Sequence, residues 1–262
     1  MIQMNSPHTL RLKDDEVPPV FEHSSDGRSD YLLVCDHFGG LIPRALGDLG
    51  VSSSELQRHI AYDIGIAGVA RRLSKALDAH LVAQRYSRLV IDCNRPPIAA
   101  SSIPTMSEAT AIPGNEDLSR DARRERRQLL FDPYHLAITE AIDRRDRAGR
   151  KTILISLHSF TPTYNGVARP WHVGALYNRD QRIANMMIDL LRREPNLVVG
   201  DNEPYSVDDE TDYTIPVHAE KRGLLHTGIE IRQDLIAHET GQHQWADRFT
   251  RLFQEMERAR RL

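Results

Sequence analysis

Short apolar runs of strand length alternate along this chain with longer stretches of helical periodicity, and that alternation limits the fold more than any other feature. The runs lie in "YLLVCDHFGG", "AHLVAQ", "RLVIDCN", "KTILISLHSF", "NLVVGDNEPYS" and "GIEIRQDLI". Between them, Leu56, Ile60, Ile64, Ala67 and Leu73 recur at helical spacing, with Ser53 or Ser54 as a cap. Residues 118–149, 179–194 and 241–262 read as further helices. Strands alternating with helices predict an α/β fold, with a mixed, largely parallel central sheet flanked by helices on both faces. Residues 1–30 read as an irregular lead-in and 31–262 as a single domain, for which 262 residues suffice. Residues 96–117, rich in Pro, Ser, Thr and Gly, read as one long loop, and 161–179 as another.

Four of the predicted strands end in polar groups. "YLLVCDH" ends at His37, "RLVIDCNR" at Asn94-Arg95, "ILISLHS" at His158-Ser159, and "GIEIRQD" carries Glu230, Arg232 and Asp234. In a parallel sheet these ends share one edge, where α/β proteins bind ligands. The set suits zinc-assisted hydrolysis, in which three protein ligands leave one position for water. His37 and His158 supply two nitrogens. Asp63, placed on the helix after the first strand, is the expected third ligand; His59, four residues earlier on the same predicted face, competes with it or supports it. Glu230 suits a general base. Arg95 offers a planar fork for a substrate carboxylate, with Asn94 beside it, Arg232 as a second clamp and Tyr205 closing over the substrate. Other divalent metals suit the same ligands.

The motifs "DHFGGLIP", "HIAYDIG", "YSRLVIDCNRPP", "SLHSFTP", "RPWHVGALYNRD", "GDNEPYS" and "GIEIRQDLI" resemble those of the N-formylglutamate amidohydrolase family, in the family's order, over roughly residues 30–250. That family is similar in fold to zinc carboxypeptidases. The resemblance implies a zinc amidohydrolase releasing formate from N-formyl-L-glutamate, or acting on a related N-acyl amino acid. It also implies His37 and His158 as zinc ligands, Asn94-Arg95 as the carboxylate clamp and Glu230 as the base. Zinc carboxypeptidases carry a Glu three residues after their first His; here that position is Gly40, so the carboxylate ligand comes from elsewhere.

Two other readings use the same residues: a carboxypeptidase-like metallopeptidase, and an inactive relative that only binds carboxylates. The expected partner is a small carboxylate substrate. A net charge of −3 gives no electrostatic case for nucleic acid, and "RDARRERR" reads as a solvated helix face. Two cysteines, Cys35 and Cys93, without a CxxC pair read as core residues in a reduced, cytoplasmic setting. No run approaches the length of a membrane span, and the N-terminus lacks an apolar leader segment. The oligomeric state is not legible.

Overall fold

The computed structural model describes residues 10–260. Its sheet strands are β1 (Val20–His23), β2 (Tyr31–Cys35), β3 (His80–Gln84), β6 (Ile153–Phe160), β9 (Val173–Leu176), β10 (Val199–Asp201) and β11 (Leu225–Arg232). Two small hairpins lie outside that sheet: β4 (Met106–Ser107) with β5 (Thr110–Ala111), and β7 (Thr163–Tyr164) with β8 (Val167–Ala168). The helices are α1 (Ser53–Leu56), α2 (Ile66–Leu77), α3 (Arg120–Arg126), α4 (Asp132–Arg147), α5 (Arg182–Leu191) and α6 (Glu239–Arg260). Sheet order is β1-β3-β2-β6-β11-β9-β10. β3, β2, β6 and β11 run parallel; β1 is antiparallel to β3, and β9 to β11. The mixed, mostly parallel sheet with helices on its faces is the α/β architecture expected from the alternation.

Both faces of the sheet are buried, so β2 is apolar throughout and β6 and β11 are apolar over much of their length rather than alternating. Leu33, Cys35, Ile155, Leu157, Ile229 and Ile231 pack toward α2, α5 and α6. Leu32, Val34 and Leu154 pack toward α4 and the 89–93 segment. None of the described helices is long and apolar enough to cross a membrane.

Five local expectations need correction. "RLVIDCN" is not a strand but a series of turns. Leu89, Val90 and Ile91 are as buried as strand residues, yet their backbone is satisfied by turns and side chains, with Asn115 Nδ2 donating to the Leu89 carbonyl and Arg126 Nη1 to the Val90 carbonyl. Ser87 Oγ accepts from the Leu89 N–H, and Asp92 Oδ1 accepts from the Asn94 N–H. Three apolar residues in a row report burial, and burial alone does not choose a backbone. The predicted helix over 53–77 is two helices separated by residues 57–65. Gly65 takes φ +79° against the Ile236 carbonyl, where a Cβ would collide. Asp63 therefore sits in a connection, not on a helix, and shares no helical face with His59.

The remaining three corrections concern stretches read as irregular. The lead-in supplies edge strand β1 at 20–23, while residues 1–9 lie outside the described part. The 161–179 loop contains β9, a sheet strand of only four residues. The 96–117 loop contains the β4–β5 hairpin.

Candidate active site and metal centre

β2, β6 and β11 bring the central groups together by register. Val34 pairs with Ser156, Gly228 with Ser156, and Glu230 with His158. Because side chains alternate across a strand, Ser156, His158, Gly228 and Glu230 share one face. The chain leaves β2 through Asp36 and His37. The Asp63 N–H donates to the His37 carbonyl at 3.0 Å, which pins the 57–65 connection beside the strand ends.

His37, Asp63 and His158 are buried, and one ligand atom from each lies within 4.8 Å of the others. Asp63 faces Nδ1 of both imidazoles, at 3.5 Å from His37 and 3.1 Å from His158. The outer nitrogens are held from behind. His37 Nε2–H donates to Asp92 Oδ1 at 2.7 Å, and His158 Nε2 lies 2.9 Å from Ser156 Oγ and 3.2 Å from Asp36 Oδ2. A carboxylate accepts only, so it fixes the proton on Nε2 and turns the Nδ1 lone pair inward. His37 Nδ1 is buried without a hydrogen-bond partner. An orphaned imidazole nitrogen aimed at a carboxylate and a second imidazole fits a divalent cation of the zinc type.

Electrostatics follow the same layout. Burial, helped by Arg88, pushes the His37 imidazolium down, but Asp92 and Asp63 outweigh both and raise it. Burial likewise opposes the His158 cation, and Asp36 and Asp63 raise it well above the usual value. Against their own burial, Asp92 is held low by Arg88 and His37, and Asp63 by the two imidazoles. Glu230 differs: burial pushes it up to about 7, and its Oε2 has no partner.

His37, Asp63, His158 and Glu230 line a cavity of about 380 Å³ that also reaches Arg88, Asn94, Arg95, Tyr205 and Asp212. Asn94 lines it, with both its side-chain oxygen and its nitrogen already hydrogen-bonded. Its Nδ2 donates to Asp212 Oδ1 at 2.9 Å, and its Oδ1 accepts from the N–H groups of Tyr213 and Thr214. Arg95 Nη1 donates to the Thr211 carbonyl at 2.5 Å and lies 3.7 Å from Asp212. Tyr205 stands at the wall with its hydroxyl accepting from Arg169 at 2.7 Å. Arg232 is not in the wall. Although it shares a strand face with Glu230, it lies at the end of β11, where Asp234 at 2.8 Å and the Pro170 and Trp171 carbonyls hold its guanidinium. His59 is also outside the group and faces Glu108.

Sequence reasoning passed over Arg88 and gave Asp36 and Asp92 no definite part. Arg88 grips Asp92 Oδ2 through Nε and Nη2, at 3.1 and 2.6 Å, and brings Nη1 to 3.7 Å from Asp63. The four-residue spacing of Arg88 and Asp92 was a usable signal, as was a charged Asp36 directly after a fully apolar strand.

A buried His–Asp–His group beside an uncommitted carboxylate, at the carboxyl edge of a mixed α/β sheet, defines an α/β protein with a candidate hydrolytic metal centre. A profile of N-formylglutamate amidohydrolase matches residues 29–237. The chain belongs to that family, which makes it an amidohydrolase in class. A gene product of Agrobacterium tumefaciens, Atu2144, has a similar structure at 39% identity and TM-score 0.92, covering 96% of this chain and 99% of its own. N-formylglutamate amidohydrolase from Ralstonia eutropha JMP134 shares the fold at 18% identity and TM-score 0.68, over 94% of this chain and 99% of its own. A comparison with curated proteins gave no match.

Proposed function

We propose that this chain is a zinc-type, metal-dependent amidohydrolase that cleaves the amide bond of N-formyl-L-glutamate or a related N-acyl amino acid, releasing formate or another carboxylate. The observation that carries the reading is the pairing of two unpartnered atoms in one cavity: His37 Nδ1, which faces Asp63, and Glu230 Oε2.

His37, Asp63 and His158 would hold the cation. Bound there, it supplies Lewis acidity to the substrate carbonyl and to the attacking water. Glu230 Oε2 takes the proton of that water and returns it to the leaving nitrogen. An acid group near 7 suits both transfers at neutral pH. Arg88, fixed by Asp92, places positive charge beside Asp63, where the carbonyl oxygen gains negative charge. Arg95 receives the substrate's α-carboxylate, and Asn94 holds the 211–214 segment that shapes that end. Asp92 and Asp36 keep the imidazoles oriented.

The test is formate release from N-formyl-L-glutamate and from other N-formyl amino acids, by metal-stripped and zinc-reloaded protein. Zinc-dependent release is expected. Equal release by stripped protein would overturn the metal role, and no release from any of these substrates would overturn the substrate class.

A further inference from the structure

N-formyl-L-glutamate carries two carboxylates, and Arg95 receives only one of them. Resting on the amidohydrolase reading, we propose that Tyr205 and Arg169 form the subsite for the other, the side-chain carboxylate of a glutamyl substrate. Arg169 supplies the charge, and the Tyr205 hydroxyl donates at the cavity wall.

Three observations carry this. First, Arg169 is an uncommitted cation beside the cavity. Of the cations in the wall, Arg88 grips Asp92 and stands by Asp63, and Arg95 is taken by the α-carboxylate. Farther out, Arg179 pairs with Asp209 and Glu220, and Arg232 with Asp234. Among the described residues the Arg169 guanidinium has one hydrogen bond, to the Tyr205 hydroxyl at 2.7 Å, and no ion pair. Its other contacts are with rings: Cζ lies 4.7 Å from the Tyr164 and Tyr205 centroids and 5.9 Å from that of Phe160. Ring contacts occupy the face of a guanidinium and leave the N–H groups in its plane for a carboxylate.

Second, the pair opens to the cavity through Tyr205, which lines it together with His158 and Glu230. The phenol oxygen accepts from Arg169, and its own O–H has no acceptor among the described residues, so that proton is left for a ligand. Burial, with Glu230 adding to it, raises the phenol and keeps it protonated at neutral pH. A carboxylate that accepts from this hydroxyl has a guanidinium one hydrogen bond away.

Third, the backbone sets the position. Phe160 lies two residues past His158 on the same face of β6, roughly 6.5 Å along the strand, and Arg169 stands over it. The Arg169 N–H donates to the Pro162 carbonyl at 2.8 Å, at the base of the β7–β8 hairpin. Asn165 and Gly166, at φ +48° and +78°, make the two-residue turn of that hairpin. The cation is thus held just outward of the metal group.

The probe is a pair of near-isosteric ligands that differ in the carboxylate. Zinc-loaded protein is assayed on N-formyl-L-glutamate and N-formyl-L-glutamine. Binding of N-acetyl-L-glutamate and N-acetyl-L-glutamine to zinc-loaded Glu230→Gln protein is measured by calorimetry. Glutamate should exceed glutamine by about tenfold or more in kcat/KM and in affinity. Parity or a glutamine preference in either arm overturns the proposal. A glutamate preference in binding, with no formate released from either substrate, upholds the subsite and sinks the amidohydrolase reading. Binding of neither ligand sinks the subsite.

Two substitutions assign the preference to these residues. Arg169→Gln should lower the glutamate-to-glutamine ratio by about tenfold or more, chiefly through KM for glutamate. Tyr205→Phe keeps the ring under Arg169 and removes only the hydroxyl. It should lower the same ratio by about threefold or more, and it serves if the first variant does not fold. An unchanged ratio in either variant, with equal losses on the two ligands, would mean that the contact only braces the hairpin and would overturn the assignment.

Discussion

Among the described residues two pairs of buried histidines stand in ring contact, and they differ in almost everything except burial. His37 and His158 have ring centroids 5.0 Å apart, tilted by 60°. His135 on α4 and His218, at 5.1 Å, are nearly coplanar, 14° apart. In the first pair, carboxylates stand on both sides of each ring and raise both imidazoles. In the second, His135 Nδ1 lies 2.9 Å from His218 Nε2, and His135 Nε2 donates to the Cys93 carbonyl. Burial pushes His135 down to about 4, and burial together with His135 pushes His218 down to about 3. Burying two imidazoles side by side therefore does not make a metal site. Carboxylates behind the rings and an inward nitrogen without a partner mark the pair that could hold an ion.

That contrast can be broken by experiment. The largest effect is expected from His158→Ala, which should abolish bound zinc and turnover together, whereas His218→Gln should keep full zinc content; metal analysis of both proteins decides. Next is Glu230→Gln, expected to retain zinc and lose about 10²–10⁴ in kcat. Near-normal activity would remove Glu230 from the chemistry. Asp92→Asn keeps the shape but weakens the grip on His37 Nε2, and should cost about 10–100-fold in zinc affinity, read by chelator competition.

The smallest effect separates the second pair by pH. In the unfolded chain both imidazoles take a proton near 6.5; folded, they resist until about 4 and about 3. Between those values the unfolded state binds more protons. Their neutral burial is thus without penalty above pH 6.5 and costs stability as pH falls toward 4, at about 1.4 kcal/mol per pH unit for each ring. Denaturant unfolding of zinc-loaded protein between pH 7 and 5 should show that slope, and His218→Gln should lessen it. An unchanged slope would mean the pair does not stay neutral.

The sequence made the sheet legible because its inner strands are covered on both faces and read as unbroken apolar runs. Two short strands were not legible: the edge strand Val20–His23 and the interior strand Val173–Leu176 carry four residues each, too few for a pattern. His37, His158 and Glu230 were legible because a polar group at the end of an apolar run needs a reason. Asp63 was identified by its carboxylate, although the helix assumed to carry it is interrupted at Gly65. Arg232 misled because strand parity gives the face but not where the cavity ends. Arg88 was missed because its partners, Asp92 and Asp63, become neighbours only through the turns at 87–95, whose hydrogen bonds involve side chains that no hydrophobic period records.

The centre also draws on parts of the chain made at very different times. Asp36 waits 120 residues for Ser156 and 178 for Thr214, whose hydroxyl donates to it at 2.5 Å. At ribosomal rates of about 5–20 residues per second, that interval is on the order of ten seconds or more. Until β6 is made, Asp36 lacks Ser156 and His158, Asp63 lacks His158, and apolar strands such as Tyr31–Cys35 lack their central neighbour. A nascent chain at that stage lacks His158, one of the three residues of the candidate metal group. Glu230 joins after all the other groups of the candidate site, so that centre can close only once β11 has been made.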